Sequence, residues 1–260
     1  MTAVEEAQST PRVRSISGED IRTALRKGLN DFQRAPVYAL FFGLVFSLTG
    51  IAITGALYSG NAGYWVFPIA AGFPLIGPFA AVGLYEISRR LEAGEALSMR
   101  AVLLAGLRHR NSQLPMFAVF SVFVFLVWIV LARVIFAISF GTSPVTNIMT
   151  SFDVFLTAPG ITMLVLGTVA GAALASLLFS VSVVGVPLLL DRDIDVVTAM
   201  ISSVQATIEN AKPMICWGLI IASATLVGML PLFLGMILIF PLLGFASWHL
   251  YRLMLDAPSP

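Results

Sequence analysis

Long apolar blocks alternate with short polar stretches along this chain, and the block lengths set the expected architecture. A helix needs about 20 predominantly apolar residues to cross a bilayer. The blocks at 36–58, 64–85 and 113–140 each supply one crossing, and the block at 160–190 supplies a fourth with length left for tilt or extension. The last block, 213–250, is too long for one crossing, so two helices joined by a tight turn near Leu230-Pro231 are expected, the first of them rather short. The predicted fold class is all-α: a polytopic transmembrane bundle of six spans over residues 36–255, with polar segments at 86–112 and 191–212. Pro74 and Pro78 remove backbone donors inside span two, so a kink is expected there.

Ahead of the first block the period changes. Ile21, Leu25, Leu29 and Phe32 recur at helical spacing, Ser17 can cap the helix, Glu19 and Asp20 suit its positive end, and the other face carries Arg22, Arg26, Lys27 and Arg34. Residues 17–35 therefore read as an amphipathic helix lying along a membrane surface, a reading compatible with packing on its own domain. Residues 1–16 and 256–260 read as tails, the first disordered. No secretory signal is expected, because no apolar stretch follows the early charges. Two later segments are similar. VLLAGLRHRNSQLPMFAVFS and ISSVQATIENAKPMICWGLI lead into spans three and five through Pro115 and Pro213, as ALRKGLNDFQRAPVYALFFG leads into span one through Pro36. Ser98 and Asp195 stand where caps belong. The chain thus reads as three pseudo-repeats of an amphipathic helix plus a hairpin of spans.

Charge gives the blocks a direction. Fourteen of the 15 Lys and Arg residues fall before span one, between spans two and three, between four and five, or after span six; only Arg133 does not. Six spans place all fourteen on one side, which the positive-inside rule makes cytoplasmic, so both termini are expected there, in a bacterial inner membrane. Arg133 lies about 30 Å along its span at 1.5 Å per residue, at the outer boundary, where it can snorkel to water or pair with Asp153 or an anionic ligand.

Composition then removes whole classes of function. The chain is 58% hydrophobic and 11% charged, with a mean hydropathy of +0.93, whereas soluble domains carry roughly 25% charged residues. A net charge of +1 supplies no basic face for nucleic acid. One cysteine, Cys216, rules out an intramolecular disulfide scaffold. The two histidines, His109 in a polar loop and His249 near the end of span six, cannot both serve as axial haem ligands within the membrane, and no serine or cysteine has a His and an acid at a recognisable spacing. No cofactor and no metal are expected. Asp191, Asp193 and Asp195 alternate like a calcium loop but lack its remaining ligands, and capping accounts for them.

The candidate site lies where the even spans end. Glu86 and Arg90 are one helical turn apart and can pair, with Arg89 beside them; Asp191 and Arg192 close span four; Trp248-His249-Leu250-Tyr251-Arg252 closes span six. Convergence would bring Glu86, Arg89, Arg90, Asp191, His249 and Tyr251 together, as a vestibule for an anionic or headgroup-like ligand or as an interfacial belt. Small residues mark expected helix contacts: Gly72, Gly77 and Gly83 on span two, and Gly167, Gly171 and Ala175 at four-residue spacing on span four. Between spans three and four, Val145, Ile148, Phe152 and Phe155 recur at helical spacing around Asp153, an outer interfacial helix or a docking surface for another membrane protein.

IRTALRKGLNDFQRAP, GPFAAVGLYEISRRLEAGE, VVGVPLLLDRDIDVVTAM and PLLGFASWHLYRLM together resemble a proteobacterial family of predicted six-span integral membrane proteins of unknown function. Some of its members carry names taken from cytochrome c oxidase subunit I. The resemblance implies a membrane protein beside, at most, a respiratory complex; two histidines do not ligate two haems and a copper. The expected function is a non-catalytic scaffold, assembly factor or accessory subunit, with membrane lipids and another integral membrane protein as partners. The alternative is a small-molecule or lipid transporter using the proline-broken second span and the polar helix ends.

Overall fold

The computed structural model describes residues 12–59, 68–69, 72–105, 113–141 and 152–255. The protein is a multi-pass helical bundle, and five helices among the described residues are long and apolar enough to cross a membrane. Helix α1 (Gly18–Arg34) leads through Ala35 into α2 (Pro36–Ser59). The described part of the second apolar block is broken as its prolines require, into a 3-10 turn (Phe73–Ile76), a single turn α3 (Gly77–Ala80) and α4 (Val82–Ala93). A short α5 (Met99–Leu103) precedes α6 (Leu114–Phe140). The fourth apolar block divides at residues 183–184 into α7 (Ala158–Ser182) and α8 (Gly185–Asp191). Then follow α9 (Val196–Glu209), α10 (Ala211–Met229) and α11 (Met236–Met254).

The expected turn near Leu230 spans residues 230–235. Leu232 and Phe233 both take positive φ, at 51° and 65°. Non-glycine residues there cost on the order of 1–3 kcal/mol each, and the turn is held by the Ser47 hydroxyl donating to the Phe233 carbonyl at 2.8 Å.

Burial is uneven along the spans. Residues 81–88, 183–190 and 244–251 are buried throughout, and the elements that carry them, α4, α8 and α11, touch one another. This core lies at the end of the bundle where the charged segments gather. Away from it, large apolar side chains such as Leu44 and Leu48 on α2, Val130 on α6, Val165 and Val169 on α7 and Leu226 on α10 are exposed, as a lipid-facing surface requires.

Helix α1 packs along the second half of α11, and α2 packs along its first half. A Cβ on Gly28 would lie 2.7 Å from the Ala246 backbone nitrogen, so only glycine permits this approach. That closeness also corrects the expected face of α1. Its buried residues are Ile21, Ala24, Gly28 and Asp31, whereas Leu29 is half exposed, because small side chains let the two backbones meet. The start of α1 is fixed by Asp20, whose carboxylate accepts from the Ser17 backbone N–H at 2.7 Å and hydroxyl at 2.8 Å. Residues 13–16, expected as tail, are pinned. Arg14 N–H donates to the Met254 carbonyl, and Ile16 N–H donates to Asn210 Oδ1, both at 2.8 Å.

Asn210 and Gln113 place α9. The Val196 N–H donates to Gln113 Oε1 at 2.5 Å, tying the first turn of α9 to the mouth of span three. Its last residue adjoins Asn210, at the mouth of α10. Fourteen residues at 1.5 Å each cover about 21 Å, so α9 lies across the charged end of the bundle and does not project from it.

Candidate functional site: a polar girdle at the charged end

Three helix ends bring the candidate residues together, in two adjoining clusters. The first is local in sequence. Glu86, 4% exposed, receives the Arg89 guanidinium through two bonds, Nε to Oε2 at 2.8 Å and Nη2 to Oε1 at 3.0 Å. Arg90 Nε donates to Oε1 at 2.6 Å. Gly94, with φ of 67°, ends α4 in the left-handed conformation and turns the chain so that Glu95 meets both arginines, within 3.1 Å of Arg89 and 3.3 Å of Arg90. Two carboxylates thus answer two guanidinium groups. The Arg89 guanidinium is held well above its ordinary range, chiefly by its bond to Glu86. The Glu95 carboxyl lies below the usual carboxylate range because of Arg89.

The second cluster joins distant parts of the chain. Asp31 Oδ2, on the buried face of α1, accepts from the Ser88 hydroxyl of α4 and lies against His249 Nε2 of α11, each at 2.7 Å. The other ring nitrogen of His249 lies 3.2 Å from Glu92 Oε1. That approach is close but lacks hydrogen-bond geometry. Glu92 also accepts from the Trp248 indole at 3.1 Å and pairs with Arg252 at 3.3 Å. Partial burial raises its carboxyl pKa, but the contacts from His249 and Trp248 and the charge of Arg252 outweigh this and hold it below the usual range. Arg252 continues to Asp191 at 3.2 Å, where the Tyr251 hydroxyl donates at 2.6 Å.

Asp191, His249 and Tyr251 are therefore brought into one network, while Glu86, Arg89 and Arg90 form the neighbouring one. Asp31, Ser88, Glu92 and Arg252 complete the arrangement without having been singled out as candidates. Asp31 did leave a signal, a carboxylate at helical spacing from Ile21, Ala24 and Gly28 on a face that is otherwise apolar or small.

The packing residues divide. Gly72 lies against the Trp128 indole, a Cβ on Gly83 would collide with the Phe42 ring, and a Cβ on Gly171 would lie 3.2 Å from Trp128. Gly77 and Gly167 face open space, and Ala175 is exposed. Val145 and Ile148 lie outside the described residues, as does His109. Phe152 and Phe155 belong to a 3-10 turn, Phe152–Leu156, in place of the expected α-helix. Thr157 follows it and caps α7 by accepting from the Gly160 N–H at 3.2 Å, so the local hydrogen bonds serve the start of α7.

Residues 66–191 match the model of a family described as a predicted integral membrane protein, DUF2189. The matched stretch contains the first cluster and reaches Asp191. No curated protein and no solved structure matches the chain.

Proposed function

We infer that this is a non-catalytic membrane protein that scaffolds, assembles or accompanies another membrane complex. It has six spans, both termini in the cytoplasm and the polar girdle at the cytoplasmic face of an inner membrane. The observation that carries this reading is that Glu86, Asp191 and His249, the ionisable groups best placed to serve a ligand, are each paired with side chains of this same chain. Such pairing supports a structural role, within α4 and its C-terminal turn for Glu86 and between helices for Asp191 and His249. The pseudo-repeat accords with it: the segments leading to spans one and five both break at a single residue before an apolar helix. Lipids and one integral membrane protein are the partners this reading requires, and no cofactor is assigned.

The transporter reading draws on the break in span two and makes an opposite prediction. Glu86→Gln keeps the side-chain shape and removes its charge. Under the scaffold reading it lowers thermal stability in mild detergent and the amount of a stoichiometric membrane partner retained on purification, both to a modest degree. Unchanged stability and retention, with loss of a measured transmembrane flux, would overturn that reading in favour of transport.

A further inference from the structure

Helices α1 and α9 meet the spans they precede in the same way. The breaks fall at Ala35, with φ −131° and ψ 50°, and at Asn210, with φ −113° and ψ 35°. Counted back from these breaks, the four buried positions of α1 coincide with buried positions of α9, Ile21 with Val196, Ala24 with Ala199, Gly28 with Ser203 and Asp31 with Ala206, while α9 also buries Ser202 where α1 exposes Lys27. The outward positions do not coincide in chemistry. Where α1 carries Arg22, Arg26 and Gln33, α9 carries Val197, Ile201 and Ile208, and these three are 59%, 58% and 69% exposed.

Leaving such side chains in water is unfavourable in proportion to the apolar surface exposed, so the nature of the cover matters. Three observations point to lipid. Both ends of α9 sit at the mouths of membrane helices, which sets its axis at the boundary between apolar and polar regions. Its stripe continues at helical spacing across the break, from Ile208 to Ile215, Leu219 and Leu226, exposed residues of the membrane helix α10. Lys212 is exposed between Ile208 and Ile215, a cation in the company that headgroup phosphates suit. The same open face of α9 presents Met200, Ile201, Val204 and Ile208 alongside Gln205 and Glu209.

We propose that the outward face of α9 is a lipid-binding surface, submerged among the acyl chains of glycerophospholipids in the leaflet at the charged end, while the matching face of α1 stays in water. This does not rest on the scaffold reading. Interfacial helices sit roughly 5–10 Å into the headgroup and acyl boundary, within reach of quenchers carried on lipid chains.

The test uses the full chain with Cys216→Ser as parent and a single added cysteine, Ile201→Cys or Arg26→Cys, labelled with a fluorophore in nanodiscs of phosphatidylcholine and phosphatidylglycerol. Both positions are exposed, so neither label disturbs packing. The Ile201→Cys label loses fluorescence to brominated acyl chains and resists aqueous iodide; the Arg26→Cys label does the reverse. Equal quenching of both labels by iodide overturns the proposal. So does an Ile201→Cys label that resists both quenchers, since α9 would then be covered by protein, a second copy included.

Discussion

Helices α1 and α9 occupy comparable places at the charged end of the bundle, yet different chemistry holds them. Helix α1 is seated by a glycine contact and a buried ionic group: Gly28 meets the Ala246 backbone, and Asp31 meets His249 and Ser88. Helix α9 is seated by a buried neutral group and an exposed cap. Ser203, which matches Gly28 in register, receives the Val184 N–H at 3.1 Å and donates to the Ser180 carbonyl at 2.7 Å, where the chain breaks between α7 and α8. Asp195 caps the helix by accepting from the Thr198 N–H at 2.9 Å. The serine works as a splint for a broken backbone, whereas the ionic group on α1 joins three separate helices. A buried ionic seat is strong only while every partner is present, because an ion left unpaired keeps its desolvation cost.

The largest expected effect follows from that difference. Asp31→Ala leaves Ser88 without its acceptor and His249 beside an empty place, and loss of one partner of a buried pair costs about 3–5 kcal/mol. Thermal unfolding in detergent should show it as the most destabilising single change at this end of the bundle. Ser203→Ala should cost less, about 1–3 kcal/mol, through the unsatisfied Val184 N–H and Ser180 carbonyl. If the two losses are equal in the same assay, the distinction between ionic and neutral seating fails.

Acid should weaken the carboxylate network at the end of α11. The Glu92 carboxyl is lower in the folded protein than in the unfolded chain. Its contribution is therefore complete above the ordinary glutamate range, near about 4.3, and is lost as pH falls through the lowered folded value. Thermal stability followed from pH 6 to 3 should decline, and Glu92→Gln should flatten part of that decline; an unchanged slope would remove Glu92 from the network. The smallest effect belongs to the outward face of α1. Arg22 and Glu19 are 3.4 Å apart and both well exposed, so Arg22→Ala should change stability by no more than about 0.5 kcal/mol.

These contrasts bear on how much the sequence could disclose. Apolar block lengths foretold the five helices long enough to cross a membrane and the turn after α10, because crossing a bilayer is a matter of length and hydropathy, and Pro74 and Pro78 foretold the break that follows Phe73. The Glu86, Arg89 and Arg90 cluster was legible for a local reason, since three- and four-residue spacing puts those side chains on one helix face. Asp31 and His249 were not legible as a pair. They are 218 positions apart, and only the packing of α1 against α11 joins them. The face of α1 was misjudged because hydrophobicity favours Leu29, while close backbone approach favours Gly28.

The central claim is that α1 is held on α11 through the contact of Asp31 with His249, and a double-mutant cycle addresses it most directly. Asp31→Asn, His249→Gln and the double variant would be compared with the parent by equilibrium or thermal unfolding in one detergent. A direct contact predicts that the double variant loses less than the two single losses together, with a coupling of about 0.5–3 kcal/mol. Additive losses, agreeing within about 0.5 kcal/mol, would contradict it.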